Sequence, residues 1–274
     1  MENLFIIDHP LIKRDLTYLR DKNTPSSTFR VILRRLTSLM AFEITKDLEL
    51  LVKEVETPLE VTQGYVLKSE VVLVPILRAG LGMVDPFLEL IPEARVGHIG
   101  LYRDEETLKP VDYYFKLPKN LDKSIVIVLD PMLATGGSIC AAISYLKAKG
   151  ASRIKVVSLI AAPEGINKLT TEHPDVQIYI AVLDRQLNQR GFILPGLGDA
   201  GDRVFGTENK NCIAKNYQNL IFIFKSFARQ INCMSEPKWF FLFNKLKPYI
   251  WIAGFNIIFY HLTKMTNYKQ NILY

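Results

Sequence analysis

Cysteine is scarce in this chain. Three residues (Cys140, Cys212, Cys233) among 274, in no paired spacing, exclude a disulfide framework and a cysteine zinc site. A chain without disulfides suits a reducing compartment. The opening Met-Glu-Asn-Leu-Phe-Ile-Ile-Asp has neither the basic start nor the long apolar core of a signal peptide, so a cytoplasmic location is expected. Histidine is equally sparse. His9, His98, His173 and His261 fall at no metal or triad spacing, so structural or surface roles are expected for them. No Ser/His/Asp or Cys/His arrangement presents itself. Long apolar runs are missing too: the longest uncharged stretch of the last quarter, Pro248–Thr263, stops at about 16 residues, short of the roughly 20 a membrane-spanning helix needs.

A basic excess is also absent from most of the chain, although the net charge of +6 suggests one. Residues 209–274 hold nine of the 34 Lys/Arg against one of the 28 Asp/Glu, leaving 25 basic and 27 acidic residues in 1–208. The first 208 residues therefore carry no electrostatic footprint for nucleic acid. The last 66 residues contain no Asp, both Trp and 15 of the 29 aromatics. They read as a separate basic, aromatic-rich extension without catalytic function. An amphipathic anchor is the lesser expectation for it, and membrane contact is not favoured.

What remains is a chain that can fold. Hydrophobic residues make up 49% and charged residues 23%, which excludes a wholly disordered polymer. Residues 1–208 read as α/β. Pro10–Arg20 places Leu11, Asp15, Leu16 and Leu19 at helical spacing with Pro10 at the first helical position. Ser27 is a candidate cap for a helix running to about Asp47, with Phe29, Leu33, Leu36 and Met40 inward. Apolar runs then alternate with helical stretches: Val71–Leu77, Arg95–Leu101, Ile125–Leu129, Ile154–Ile160 and Val176–Val182 as strands; Gly80–Leu90, Gly137–Lys149 and Glu164–His173 as helices. Continuous Val/Ile/Leu strands separated by helices predict a parallel sheet covered on both faces.

The chemistry collects where such strands end. Ile125–Leu129 delivers Asp130, followed by Pro131, Met132, Leu133, Ala134, Thr135, Gly136, Gly137 and Ser138 and then a helix. Small residues let backbone N–H groups approach an anion, and the helix adds its positive N-terminal end. The alternative is a strand–turn–helix link whose glycines only make the turn. No Gly-Lys-Ser/Thr closes the loop, so it is not a Walker loop. A second strand end carries Pro75-Ile-Leu-Arg78-Ala-Gly80, and a third carries Tyr102-Arg103 before Asp104, Glu105 and Glu106. Two arginines beside a phosphate loop suit a ligand with two phosphate-bearing ends. Read alone, each is a surface ion-pair residue, a reading the three acids favour for Arg103. Tyr113-Tyr-Phe115 fits a lid and core packing equally. The fourth segment is Ile193-Leu-Pro195-Gly196-Leu-Gly198-Asp199-Ala200-Gly201-Asp202. Its G-x-G-x-x-G spacing does not open a βαβ unit and is rejected as a dinucleotide fingerprint. A Gly-rich loop exposing backbone donors and acceptors to a small planar ring is the alternative to a plain turn.

At these residues a resemblance becomes specific. Asp130-Pro-Met-Leu-Ala-Thr-Gly-Gly-Ser138 resembles the phosphoribosyl-diphosphate (PRPP) loop of the uracil phosphoribosyltransferases. Pro75–Gly80, Ala162-Pro-Glu-Gly165 and Pro195–Asp202 match the same family in the same order. The resemblance covers about residues 1–208 and offers nothing for 209–274. It implies a type I phosphoribosyltransferase fold, a central parallel sheet flanked by helices, making UMP from uracil and PRPP. On it, Arg78 and Arg103 hold the diphosphate, Asp130 the ribose hydroxyls, and Ala134 to Ser138 the 5′-phosphate within a loop running from Asp130. Ile193, Gly198, Asp199 and Ala200 frame uracil, Asp199 also touching PRPP. Arg78, Arg103, Asp130 and Asp199 are the implied catalytic set, with Mg²⁺ held through PRPP and not by the protein directly. A homo-oligomer is implied, and GTP activation is left open. A regulatory nucleotide- or RNA-binding protein on the same fold is the alternative; the intact base loop argues against it.

Overall fold

The computed structural model describes residues 3–103 and 110–207, without the side chains of 102–113. The expectations for Asp104, Glu105, Glu106 and the extension 209–274 lie outside the described residues. In chain order, β1 (Leu4–Ile6) leads into α1 (Pro10–Arg20), α2 (Ser26–Ile44) and a hairpin of β2 (Leu50–Glu56) and β3 (Val61–Leu67). Next come β4 (Val71–Leu77), a 3₁₀ turn (Ala79–Met83), α3 (Val84–Leu90), β5 (Arg95–Val96), β6 (His98–Arg103) and β7 (Pro110–Lys116). After these follow β8 (Ile125–Leu129), β9 (Met132–Leu133), α4 (Gly137–Ala148), β10 (Arg153–Ala161), α5 (Pro163–Glu172) and β11 (Gln177–Leu183). The short β12 (Gln186–Leu187), β13 (Ile193–Leu194) and α6 (Ala200–Phe205) close the fold.

The main sheet runs β1-β11-β10-β8-β4-β6-β7, with all pairs parallel except β6–β7. The expected parallel sheet thus gains an antiparallel edge strand. Every residue of β4 from Val71 to Ile76 is buried, and the pleat sends alternate residues to opposite faces. Val71 and Leu73 join Phe29, Leu36, Met40 and Phe87 under α2 and α3. Val72, Val74 and Ile76 join Ile139, Ile143, Ile166 and Leu169 under α4 and α5. Burial on both faces is why these strands read as unbroken apolar runs. Along the chain, the strands after β4 lie on one side of it as β6 and β7 and on the other as β8, β10 and β11. The order therefore reverses between β4 and β8. Ligands of open α/β sheets bind at the strands' carboxyl ends at such a point.

Local starts and stops differ from the sequence reading for identifiable reasons. Ser27 lies inside α2, because Pro25, extended at φ −63° and ψ 151°, occupies the cap position without a side-chain bond. That helix ends at Ile44, before Asp47. In α1 the buried stripe is Ile12, Leu16 and Leu19, and Leu11 is exposed. The expected Gly80–Leu90 helix begins as the tighter 3₁₀ turn, and the expected Arg95–Leu101 strand breaks at Gly97. Asp15 is fully buried in α1. Burial pushes its carboxyl up, but hydrogen bonds from Arg35 (2.6 and 2.7 Å) and Arg14 outweigh that and hold it below the usual carboxylate range. The pair ties α1 to α2. Among the described residues no helix is long and apolar enough to cross a membrane.

The β2–β3 hairpin forms its own two-stranded sheet, which the sequence reading left unassigned. Its seven residue pairs run from Leu50↔Leu67 to Glu56↔Val61, and almost every side chain in it is exposed, Val52, Val61 and Tyr65 by more than 60%.

Candidate active site

Parallel strands bring the ends of β4, β8 and β11 to one sheet edge, and with them Arg78, Asp130 and Asp184. Arg103 ends β6 at the same edge, and its side chain lies outside the described residues.

The phosphate loop is built by close packing. After Asp130 the chain makes a short strand, β9, on β10 and turns at Gly136 (φ +76°) into the first turn of α4. Asp130 Oδ1 accepts from Met132 N at 3.3 Å, closing the turn onto the carboxylate. Below the loop, Ala162 N donates to Leu133 O at 2.9 Å and starts α5. A Cβ on Gly165 would sit 2.4 Å from Ala134 O and 2.8 Å from Leu133 O. Gly80 presses on the other flank, where a Cβ would meet Leu129 O at 2.2 Å. Only a glycine permits either approach. The result is a run of small residues, Ala134 to Ser138, at the N-terminus of a 12-residue helix, which suits an anion.

Asp130 keeps an edge open to solvent, but its carboxyl is packed round by protein. Burial, with the negative charge of Asp199 adding to it, pushes the carboxyl up to about 7 against the N–H of Met132. Asp130 and Asp199 therefore share one electrostatic environment. Arg78 reaches the loop that carries Asp199: its Nη2 lies 3.2 Å from Asp202 Oδ1 and its Nη1 3.4 Å from Thr207 Oγ1. The expectation that Arg78 is more simply an ion-pair residue is met in part, since it has an acidic partner. That partner sits on the base loop, and Arg78 remains half exposed.

The base loop follows β13. Gly196 (φ +61°) and Gly198 (φ +83°) turn the chain, and Asp199 caps α6 by accepting from Asp202 N at 2.9 Å. The spacing that mimics a dinucleotide fingerprint opens only this six-residue helix. Gly198 and Asp199 are exposed, whereas Ile193 and Ala200 send their side chains into the core. What the last two can offer a ring is backbone. A bulky residue at Ala200 would overpack the core, at a cost of about 1–3 kcal/mol, and report folding and not base reading.

Sequence reasoning missed the residues that hold this loop. Asp184, directly after β11, is buried and paired with Arg20 at the end of α1 through contacts of 2.6 and 2.9 Å. Arg203 reaches from α6 to Leu197 O at 3.0 Å, to Leu19 O and to Asp21 O, with its guanidinium over the Phe29 ring. No local signal marks the pair: Asp184 stands just past a buried strand with Arg185 beside it, and its partner Arg20 lies 164 residues away.

The histidines keep structural roles where they are described. His9 Nδ1 accepts from Leu11 N and caps α1. His173 is buried at the end of α5, its Nε2 3.2 Å from Cys140 O and 3.3 Å from Ser144 Oγ. Cys140 and Glu172 lie within 4.8 Å of it, the three forming a mixed thiol, carboxylate and imidazole group. Burial, then the charge of Glu172, pushes the Cys140 thiol up to about 12, so at neutral pH it stays protonated, and His173 ties α4 to the end of α5 through Cys140 O and Ser144 Oγ. Phe115 stacks on Tyr145, ring centroids 3.9 Å apart, which places it in packing and not in a lid. His261 and Tyr113 lie outside the residues or side chains described.

Comparison with known proteins fits this geometry. Residues 6–207 match the family model described as uracil phosphoribosyltransferase. The chain belongs to the uracil phosphoribosyltransferase family. A protein of that name from Dictyoglomus thermophilum is 59% identical over 206 residues, 75% of this chain and 100% of the relative. Another, from Thermoanaerobacter sp. (strain X514), is 56% identical over 208 residues, 76% of this chain and 99% of the relative. The solved structure of the AQ2163 protein from Aquifex aeolicus superposes with a TM-score of 0.72 at 39% identity, covering 75% of this chain and 99% of that one. As a member of the family this chain is a pentosyl transferase, and its reaction joins uracil to the phosphoribosyl group of PRPP to give UMP and diphosphate.

Proposed function

We propose that the crevice between β4 and β8 binds PRPP with its 5′-phosphate on Ala134–Ser138, its ribose hydroxyls on Asp130 and its diphosphate on Arg78 and Arg103, and that Gly198–Ala200 with Ile193 frame uracil. The observation that carries this reading is the convergence of Asp130 beside Asp199, and of Arg78 on the neighbouring Asp202, at a sheet edge that also holds an anion-ready helix N-terminus. Cleavage of the C1′–diphosphate bond develops charge on the leaving group. Arg78, idle on Asp202, has a guanidinium free to exchange that carboxylate for the diphosphate, stabilising charge that is greatest in the transition state. The protein's remaining task is to place uracil N1 against C1′ and exclude water.

The residues fit Mg²⁺ arriving with PRPP. The negative charge of Asp199 adds to the cost of ionising Asp130 in the crevice, and a hard cation held on substrate oxygens would relieve it. When bound, the ion would supply charge neutralisation on the diphosphate, and Asp130 and Asp199 would hold it indirectly, through PRPP.

A homo-oligomer belongs to this reading, supported by the β2–β3 hairpin, whose Val52, Val61 and Tyr65 are exposed among the described residues. GTP activation and a cytoplasmic location are carried from the family and the composition. The domain is proposed to end near Thr207, with 209–274 outside the chemistry. The decisive experiment is turnover of labelled uracil with PRPP and Mg²⁺ against cytosine and hypoxanthine. UMP formation from uracil alone is expected, and equal use of a purine would overturn the assignment of the base loop.

A further inference from the structure

The base loop carries a support that the reaction itself does not require. Asp184 Oδ2 accepts from Gly196 N at 2.9 Å, and Arg20 Nη1 donates to Gly196 O at 2.9 Å, while Arg20 and Asp184 bind each other through both oxygens. One partly buried ion pair thus takes up both backbone groups of Gly196. The next carbonyl, Leu197 O, is held by Arg203. These side chains start from three distant places: the end of α1, the end of β11 and the middle of α6. Neighbouring backbone groups are fixed two residues before Gly198–Ala200.

We infer that Arg20 and Asp184 are positioning residues for base recognition: their ion pair locks Gly196 and thereby sets the register in which Gly198, Asp199 and Ala200 present backbone groups to uracil. A loop that reads a ring with its own N–H and C=O groups discriminates only as sharply as those groups are fixed, because a donor displaced by about an ångström no longer separates an acceptor from an amino group. The pair therefore acts on the base and not on PRPP, whose loop is supported elsewhere. This inference rests on the proposed reading of Pro195–Ala200 as the base loop.

The test is steady-state kinetics of the full chain in Asp184→Asn and Arg20→Lys, with uracil and PRPP varied separately. Asp184→Asn keeps the shape but loses the charge; Arg20→Lys keeps the charge but loses the fork, and serves if the first variant does not fold. The expected result is a rise of about tenfold in KM for uracil with KM for PRPP within about twofold, and weakened discrimination against cytosine. Faster hydrogen exchange at the Gly196 amide should accompany it. Equal rises in both KM values, or a loss of kcat with both unchanged, would overturn the inference and make the pair a folding element. Gly198→Ala separates the two layers, since φ +83° strains any side chain there while the space is open. If it leaves uracil KM untouched, the base-loop reading itself fails. If it raises uracil KM while the Arg20 and Asp184 variants do not, only the positioning role fails.

Discussion

The two ends of the crevice are held by different physics. The phosphate loop is fixed by absence: Gly80 and Gly165 let backbone press on backbone, and no side-chain ion pair is needed to shape it. The base loop is fixed by presence: Arg20, Asp184 and Arg203 reach in from elements remote in sequence and hold its carbonyls and amide one by one. A dense helix terminus is rigid by its own hydrogen bonding and needs only room. A loop of glycines with left-handed turns has no such ladder and must be tied from outside.

If shape alone holds the phosphate end, one methyl should break it. Gly165→Ala places a carbon 2.4 Å from Ala134 O, and kcat/KM for PRPP should fall about a hundredfold, near 2.7 kcal/mol, with uracil affinity less affected. A variant with wild-type kinetics would mean that the loop yields, and that the contrast is only geometric. Arg78 rests on Asp202 of the base loop and, in the proposed reading, serves the diphosphate. Arg78→Ala should cost at least about tenfold in kcat/KM, about 1.4 kcal/mol, in a protein that melts normally. Unchanged kinetics in a folded variant would remove it from the site.

A smaller effect sharpens the electrostatic side of the contrast. Asp130, pushed up to about 7 by burial, binds its proton more tightly folded than unfolded, where 3.8 is usual. Its contribution to stability is therefore full below about pH 4 and is lost as pH rises through about 7. Asp130→Asn should accordingly gain about 1 kcal/mol of unfolding free energy at pH 8, none at pH 4, while turnover drops. Denaturant titrations at both pH values decide it; the same difference at each would show that ionisation of Asp130 carries no penalty. The smallest effect is expected from ending the chain at Thr207, which keeps both loops and the Thr207–Arg78 contact. Activity per site should stay within about twofold of the full chain, and a loss of most turnover would place residues 208–274 in the machinery.

Legibility in the sequence follows the same division. Asp130–Ser138 and Pro75–Gly80 could be read because strand, turn and helix are adjacent in the chain and their residue types announce the packing. Residues such as Val71–Leu77 and Ile125–Leu129 showed themselves as strands because burial on both faces leaves an unbroken apolar run. The β2–β3 hairpin escaped because its strands, Leu50–Glu56 and Val61–Leu67, mix charge and apolar residues without a buried face to enforce alternation. Asp184 and Arg20 escaped for a different reason. Their meaning lies in a contact 164 residues apart, and no local pattern marks either one.

That separation also orders events while the chain is being made. The phosphate loop and its Gly165 support are complete once residues 71–165 have emerged, through contacts among neighbouring strands. The base loop must wait for Gly196 to meet Arg20, 176 residues earlier, and for Arg203 to reach Leu19 across 184. Closing such long loops is slow relative to local pairing. On the proposed reading of the two loops, a nascent chain on the ribosome should thus possess a sugar-phosphate pocket before it has anywhere to put a pyrimidine, and base specificity is acquired after the grip on the sugar phosphate.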